Sequence, residues 1–234
     1  MHKIQKQPEP EHFRLWKQQF LVNNGREALY SDLTGTEEYK KLKADLLKEQ
    51  GYICCYCERQ IGRSRKKDSD IEHFMPRHPD RRQLTPSECE QCENAQMDYN
   101  NIMASCLGEE IGMDDHCNHK KDNWYDFSLC VSPVEDEIEK LFGFRKDGRM
   151  VVLGGNAKAE AMRSHLNLNS HILLEQRKEA YDAVMEAEFE NVELLNDEEY
   201  IHDTIDFYRQ KDENGYYSQF CSMITYCMER ELLD

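Results

Sequence analysis

The chain has 234 residues, ten cysteines and a formal net charge of −16. Its length allows one sizeable core or two small ones, and its scattered aromatic residues favour a folded protein over a disordered one. The net negative charge excludes non-specific binding of nucleic acid by the whole surface. No apolar run is long enough to cross a membrane and the N-terminal residues lack a signal-peptide pattern, so we expect a cytoplasmic protein without a membrane partner.

Residues 1–50 are predicted to form an N-terminal helical region. Apolar residues recur at helical spacing from Phe13 to Leu21, and Gly25 predicts the end of this first helix. A second helix is predicted over residues 36–51, with a threonine at its start and a glycine at its end.

Residues 51–130 are predicted to form a separate core that carries the chemistry. Two short strands joined by a polar loop are predicted within residues 52–75. Residues 76–98 show no clear period and are predicted to be a long connection. Residues 99–107 are apolar again, and residues 117–124 are predicted to form a helix.

Residues 131–234 are predicted to form a hairpin followed by a C-terminal helical region. Asp147-Gly148 lies between two short apolar runs, which is a hairpin signal. The chain is predicted to be helical from Ala157 onwards, with a short break at residues 166–169. An apolar stripe at helical spacing then continues as far as Leu195.

Cys54 and Cys57 form a Cys-x-x-Cys pair, a spacing that lets two sulfurs bind one cation. A structural zinc site needs two further ligands. A redox dithiol is the alternative, but no thioredoxin-like pattern surrounds the pair, so zinc is favoured. The second pair of ligands could be either of two sets, Cys89 with Cys92, which has the tighter spacing, or Cys106 with Cys117.

Glu72 and His73 form an acidic-imidazole pair at the end of a predicted strand, just before Pro76. On its own, such a pair is most often a surface carboxylate beside a partly buried histidine. Here it follows a candidate zinc ligand pair and a basic loop, residues 63–67, and a later segment, residues 99–121, supplies further asparagine, histidine and cysteine side chains. This context favours a functional role for the pair.

Four motifs together resemble the HNH endonucleases: Cys-x-x-Cys, Glu-His-Phe-x-Pro, an asparagine five residues before a cysteine, and Cys-Asn-x-x-Lys. With the opening Lys3-Ile4-x-Lys6, the Leu-Asn-Leu-Asn at 166–169 and Arg177, the chain is similar to the PtuB type, the HNH component of Septu anti-phage systems that also occurs in retron operons. The resemblance implies an α+β fold with a ββα-metal core and a zinc knuckle, embedded in mainly helical N- and C-terminal regions.

The resemblance also implies residue roles. His73 matches the general base, and Glu72 and Asn118 match ligands of a catalytic Mg²⁺ or Mn²⁺, with His119 as the alternative to Asn118. Glu72 stands where family members often have aspartate. Asn101 matches the middle asparagine, which ties the histidine loop to the motif, and a one-residue slip would assign that role to Asn100. The same register makes Cys106 and Cys117 the second zinc pair, which leaves Cys89 and Cys92 unligated or on a second metal with His78 or His116.

The function implied is metal-dependent hydrolysis of phosphodiester bonds in DNA or RNA. The residues expected to hold the nucleic-acid backbone are Arg63, Arg65, Lys66, Lys67, Arg77 and Lys121. The resemblance implies an effector subunit that works with a PtuA-type ATPase, and an association with retron-derived DNA (msDNA) or its reverse transcriptase. The alternative is a non-catalytic zinc-stabilised module that binds nucleic acid or protein.

Overall fold

A computed structural model describes residues 1–64, 67–109, 112 and 114–233. In this part of the chain the helices and strands run in the order Glu11–Asn24 (α1), Tyr30–Leu33 (α2), Glu37–Glu49 (α3), Ser69–His73 (β1), Pro86–Asn94 (α4), Ile102–Cys106 (β2), Cys117–Lys121 (α5), Phe142–Phe144 (β3), Met150–Val152 (β4), Ala157–His165 (α6), His171–Glu188 (α7), Glu198–Arg209 (α8) and Cys221–Met228 (α9). None of the helices described is both long and apolar enough to span a bilayer.

The two predicted N-terminal helices are confirmed as α1 and α3. Gly25 ends α1 in the left-handed conformation, with its N–H donating to the Leu21 carbonyl. Thr36 begins α3, where its hydroxyl accepts from the Tyr39 N–H at 3.1 Å. The apolar faces of both helices enter the core, where Phe13 and Leu46 are fully buried.

The central sheet differs from the prediction. We expected two short strands joined by a polar loop within residues 52–75, but the described part of this range holds one strand, β1. This strand pairs antiparallel with β2, so that Ser69 lies opposite Cys106 and His73 opposite Ile102. Residues 52–61 make a single bridge, between Ile53 and Gln60, because the chain turns tightly at the Cys54–Cys57 pair between them. The helix predicted over residues 117–124 is confirmed as α5 but is shorter, because it ends at Lys121.

Residues 76–98 were also predicted incorrectly, since α4 lies within this stretch. The Thr85 hydroxyl accepts from the Glu88 N–H at 3.3 Å, and the Glu88 carboxylate accepts from the Thr85 N–H at 2.8 Å. With Pro86 in the first turn, this is a capping box, which starts a short helix without any long apolar period.

The C-terminal half follows the prediction more closely. The hairpin is confirmed as β3 and β4, and the break between α6 and α7 lies at residues 166–170. The Asn169 amide makes two 2.9 Å hydrogen bonds with the Met150 backbone, so the break holds the hairpin. The apolar stripe predicted as far as Leu195 does not continue as one helix, because α7 ends at Glu188 and a 3₁₀ turn, Val192–Asn196, follows.

His12 links α1 to α3 through two carboxylates. Its Nδ1 contacts a Glu38 oxygen, and its Nε2 lies 2.5 Å from Asp45 Oδ2. Burial lowers the pKa of the His12 imidazole, but the hydrogen bonds to Glu38 and Asp45 outweigh it, so the pKa is raised. The protonated ring is therefore the form that ties the two helices together.

The substitution His12→Gln should cost stability mainly at lower pH. A group whose folded-state pKa is raised stabilises fully below its unfolded value of about 6.5 and loses this contribution as the pH rises through the folded value. Because the ring is one-third exposed, solvent screening limits the effect to about 1 kcal/mol or less. Denaturant unfolding of both proteins should show a gap that is larger at about pH 6 than at about pH 9. A gap that widens with pH would contradict this assignment.

Candidate metal centre and active site

Four buried cysteines from three segments of the chain meet at one point. Cys54 and Cys57 flank a tight turn, Cys106 ends β2 and Cys117 begins α5. Their sulfur atoms all lie within 4.8 Å of one another, and the Cys57 and Cys106 sulfurs are 3.8 Å apart. Tetrahedral zinc with Zn–S bonds of about 2.3 Å requires sulfurs about 3.8 Å apart. These four thiols could therefore bind a structural zinc ion.

Local backbone geometry brings the sulfurs together. The buried Gln50 amide donates to the Ile53 carbonyl at 2.9 Å and to the Ala104 carbonyl at 2.8 Å, which joins the first cysteine turn to β2. Gly108 has a φ of +70°, and its carbonyl accepts from the His116 N–H at 2.9 Å. A Cβ at residue 108 would lie 1.8 Å from the His116 carbonyl oxygen, so only glycine allows this closure.

The thiol cluster favours an anionic sulfur at Cys54. Burial alone would raise the pKa of the Cys54 thiol, but hydrogen bonds from the Cys106 and Cys117 thiols lower it well below its usual value. His116 Nδ1 also lies 3.2 Å from the Cys117 sulfur. An N–H donor at this position spreads the charge of a metal-bound thiolate and holds its orientation.

Cys89 and Cys92 lie apart from this cluster, on the buried side of α4. Burial raises the pKa of the Cys92 thiol to about 11, so the neutral thiol is favoured there. In the residues described, the four-thiol cluster is the sole group of three or more cysteine, histidine or acidic side chains close enough to share a metal. The structure therefore brings neither Cys89 and Cys92 into the zinc cluster nor His78 or His116 beside them as a second metal site.

His73 lies at the end of β1 in the wall of a cavity of about 740 Å³. Its Nε2 lies 3.0 Å from the Gln96 carbonyl oxygen, and its ring meets the Tyr30 ring edge to face at 4.4 Å. Burial, followed by the positive charge of Arg77, lowers the pKa of the imidazole to about 3. The ring is therefore neutral at pH 7. Because a carbonyl can only accept, Nε2 carries the proton and Nδ1 is the free basic nitrogen.

Glu72 lines the same cavity and is almost fully buried. Its Oε1 accepts from the Tyr56 hydroxyl at 2.9 Å and lies 2.9 Å from the Lys121 ammonium. Lys121 was expected to contact phosphate, but its side chain is only 2 % exposed and its ammonium also donates to the His73 carbonyl at 2.9 Å. Lys121 thus lies beneath the cavity and supports β1.

Asn118 and His119 both line the cavity, as neighbours on α5. His119 is exposed, with Nδ1 lying 3.1 Å from Asp115 Oδ1, whereas Asn118 is half-buried. Asn101 lies behind the site. Its amide donates to the Met75 and Ala95 carbonyls at 3.0 Å and accepts from the Met75 N–H at 2.7 Å, which fixes the chain just after His73.

The basic residues expected at the nucleic-acid backbone are divided between two places. Lys67 and Arg77 line the cavity, where Lys67 pairs with Asp70 at 2.6 Å and Arg77 stacks over the Tyr30 ring. Arg63 lies over the Tyr216 ring in a different hollow, beside α7. Two further predicted contacts, Arg65 and Lys66, lie outside the described residues.

Three side chains or backbone groups that build the site were missed in the sequence. Tyr56, between Cys54 and Cys57, and Gln50, just after α3, act through contacts with residues distant in the chain. The Gln96 carbonyl that orients His73 is backbone and has no sequence signal at all. A tyrosine inside a Cys-x-x-Cys pair is the one feature that could have been noticed beforehand.

Purified protein should contain one zinc ion per chain, and Cys106→Ser should lose it. Removal of one thiolate opens the tetrahedral site, and we expect a fall in melting temperature of roughly 10 °C, corresponding to about 3 kcal/mol for a chain of this size. Elemental analysis by mass spectrometry and thermal unfolding measure both effects. Cys92→Ser is the matched control, because it removes an equally buried thiol outside the cluster. Zinc loss in the control with retention in Cys106→Ser would contradict the assignment.

The chain is similar over part of its length to a known protein. The chain is 26% identical, over 96 residues, to a protein from Escherichia coli assigned as the HNH endonuclease of retron Ec83. This alignment covers 38% of the present chain and spans about a third, 34%, of the length of that relative. No family model matches the chain. Part of the chain is therefore similar to an HNH endonuclease.

Proposed function

We propose that this chain is an HNH-type endonuclease, of the PtuB type, that hydrolyses nucleic-acid phosphodiester bonds with the help of a divalent cation. The observation that carries the proposal is that His73 and Glu72 on β1 and Asn118 on α5 line one cavity. β1 pairs antiparallel with β2, and the four-thiol cluster lies at the end of β2 and the start of α5. This order of elements agrees with a ββα-metal core. The similarity to a retron HNH endonuclease supports the same reading.

His73 is the general base in this proposal. The Gln96 carbonyl holds the Nε2 proton, so Nδ1 can take a proton from the water that attacks phosphorus. The pKa of about 3 makes the free imidazole a weak base. A bound phosphodiester brings negative charge beside the ring, which raises that pKa and strengthens the base when substrate is present.

Glu72 and Asn118 would hold the catalytic Mg²⁺ or Mn²⁺. Tyr56 and Lys121 both contact Glu72 through Oε1. Glu72 and Asn118 line the cavity, and their side-chain oxygens are hard ligands that suit these cations. When bound, such a cation supplies charge stabilisation at the scissile phosphate and the leaving oxygen. Glu72 and Asn118 would hold the cation through their side-chain oxygens, while Asn101 fixes the loop after His73.

Arg77 is the residue that we propose to hold the substrate phosphate. In the described part of the chain no carboxylate pairs with it, and its stacking over Tyr30 fixes the guanidinium at the cavity rim. Lys67 is weaker in this role, since Asp70 already neutralises it. A prearranged guanidinium loses little side-chain entropy on binding a phosphate.

The proposed biological role is that of the effector subunit of an anti-phage defence complex. The resemblance to the PtuB type and the similarity to a retron protein support a PtuA-type ATPase partner and an association with retron-derived DNA or its reverse transcriptase. Co-purification of the chain with its genomic neighbours, followed by a cleavage assay of the complex, tests this role. A nuclease that cuts fully without any neighbour would contradict the need for a partner.

His73→Ala should lower the rate of cleavage by roughly 100-fold or more, because the general base is lost. The assay incubates the chain, alone and with its co-purified partners, with labelled DNA and RNA in Mg²⁺ or Mn²⁺. His171→Ala is the matched control, since His171 is an exposed histidine on α7 that does not line the cavity. Equal cleavage by wild type and His73→Ala would exclude the proposed role, and zinc content should stay unchanged in both variants.

Arg77→Gln should raise the KM for nucleic acid by about tenfold and leave kcat within about twofold, because a charge-assisted hydrogen bond contributes about 1.5 kcal/mol. Steady-state cleavage kinetics at fixed ionic strength measure both constants. Arg14→Gln removes the same charge from an exposed position on α1 and should have no such effect. A fall in kcat alone would assign Arg77 to the chemical step instead.

A further inference from the structure

A buried triad of side chains joins the four-thiol cluster to the proposed catalytic strand. Tyr56 lies between Cys54 and Cys57, and Lys121 lies on α5, four residues after Cys117. The Tyr56 hydroxyl and the Lys121 ammonium each lie 2.9 Å from the same oxygen of Glu72. Tyr56, Lys121 and Glu72 are 0 %, 2 % and 4 % exposed, so water competes little for these bonds. Two of the three segments that carry the cluster cysteines therefore each contribute one donor to the carboxylate.

We propose that Tyr56 and Lys121 are positioning residues that fix the Glu72 carboxylate so that its second oxygen, Oε2, faces the cavity and binds a divalent cation. This inference rests on the proposed function. Both donors use Oε1, and in the described residues no hydrogen bond or ion pair engages Oε2. A glutamate side chain has three rotatable bonds, and two fixed donors remove the freedom that would otherwise scatter its oxygens.

Lys121 has a second effect, on His73. Its ammonium donates to the His73 carbonyl at 2.9 Å, while it pairs with Glu72 one residue earlier. A single buried cation thus fixes two consecutive residues of β1, one from the side chain and one from the backbone. The general base and the cation ligand are held at a constant separation by the same group.

This role differs from a direct contact between Lys121 and the substrate. A lysine that binds phosphate lies at the surface of the site, and its loss weakens substrate binding. Lys121 does not line the cavity, and its ammonium contacts Glu72 Oε1 and the His73 carbonyl, both at 2.9 Å. Its loss should therefore slow the chemical step and leave the binding of nucleic acid unchanged.

The first test uses Tyr56→Phe, which removes one hydrogen bond without changing charge or shape. We expect the affinity for Mn²⁺, measured on zinc-loaded protein by electron paramagnetic resonance, to fall by about tenfold, since the carboxylate is no longer fixed. Tyr52→Phe is the control, because Tyr52 lies just before the same turn and packs on Tyr216, away from Glu72. Unchanged Mn²⁺ affinity in Tyr56→Phe, with Glu72→Gln abolishing binding, would overturn the proposal.

The second test uses Lys121→Met, which has nearly the same length and no charge. Steady-state kinetics should show kcat lower by about tenfold to 100-fold, with the KM for nucleic acid within about twofold. Lys120→Met is the matched control, because Lys120 is the exposed neighbour on α5. A raised KM with intact kcat would make Lys121 a phosphate contact and overturn the proposal, as would kinetics equal to wild type.

The two tests separate this inference from the proposed nuclease function. If wild type binds Mn²⁺ through Glu72 but cleaves no nucleic acid, the nuclease proposal fails while the result with Tyr56→Phe still decides the positioning role. If Lys121→Met does not fold, both the Mn²⁺ affinity and the steady-state kinetics are measured on Tyr56→Phe, because this variant keeps the buried ion pair. Cleavage without any dependence on Glu72 would refute the positioning role and leave the nuclease assignment standing.

Discussion

The structure depends above all on the meeting of four buried thiols from three separate segments. Glu58, directly after Cys57, and Cys117 have positive φ angles of 64° and 51°, conformations that cost on the order of 1–3 kcal/mol each for residues other than glycine. Such backbone strain persists only where the surroundings over-determine it. A metal that binds all four sulfurs would offset this cost and would hold the end of β2 against the start of α5.

Because β2 ends and α5 begins at cluster cysteines, the cluster also sets the register of the proposed active site. Cys117 N–H donates to the Leu166 carbonyl at 2.9 Å, and the Asn167 amide donates to the Asp115 carbonyl at 2.9 Å, so the break between α6 and α7 supports the start of α5. With that end fixed, Asn118 is directed to the cavity and Lys121, one turn later, to the interior. The C-terminal helices thus contribute to the site without lining it.

The sequence predicted the parts of this fold that depend on local patterns. Helices with a clear apolar period and a terminal glycine, such as α1, were found, and so was the hairpin around Asp147-Gly148. The partner of β1 was not, because strand pairing is decided by contacts between segments distant in the chain. The helix α4 was missed since its start depends on a capping box rather than on apolar spacing.

The site was predictable to the same degree. Spacing alone favoured Cys89 with Cys92 as the second pair of zinc ligands, whereas the register of the family resemblance favoured Cys106 with Cys117, and the fold brings the latter two to the cluster. Spacing misled because a long loop, closed at Gly108, can return a cysteine as accurately as a short turn can. The expected contact of Lys121 with phosphate does not agree with its burial, because the buried Glu72 carboxylate needs a cation beside it.

Charge sets the final constraint on how such a site could work. The chain carries a net charge of −16, and of the two expected basic contacts that line the cavity, Lys67 is already paired. The net charge of the chain therefore repels a polyanion at long range. At physiological salt this repulsion is screened beyond about 8 Å, and within that distance of the cavity a bound cation and Arg77 dominate. Local attraction at the cavity combined with repulsion elsewhere would suit the proposed nuclease if nucleic acid is delivered to it. A partner that binds nucleic acid and holds it at the cavity would supply the missing affinity through effective concentration rather than through new contacts in the site.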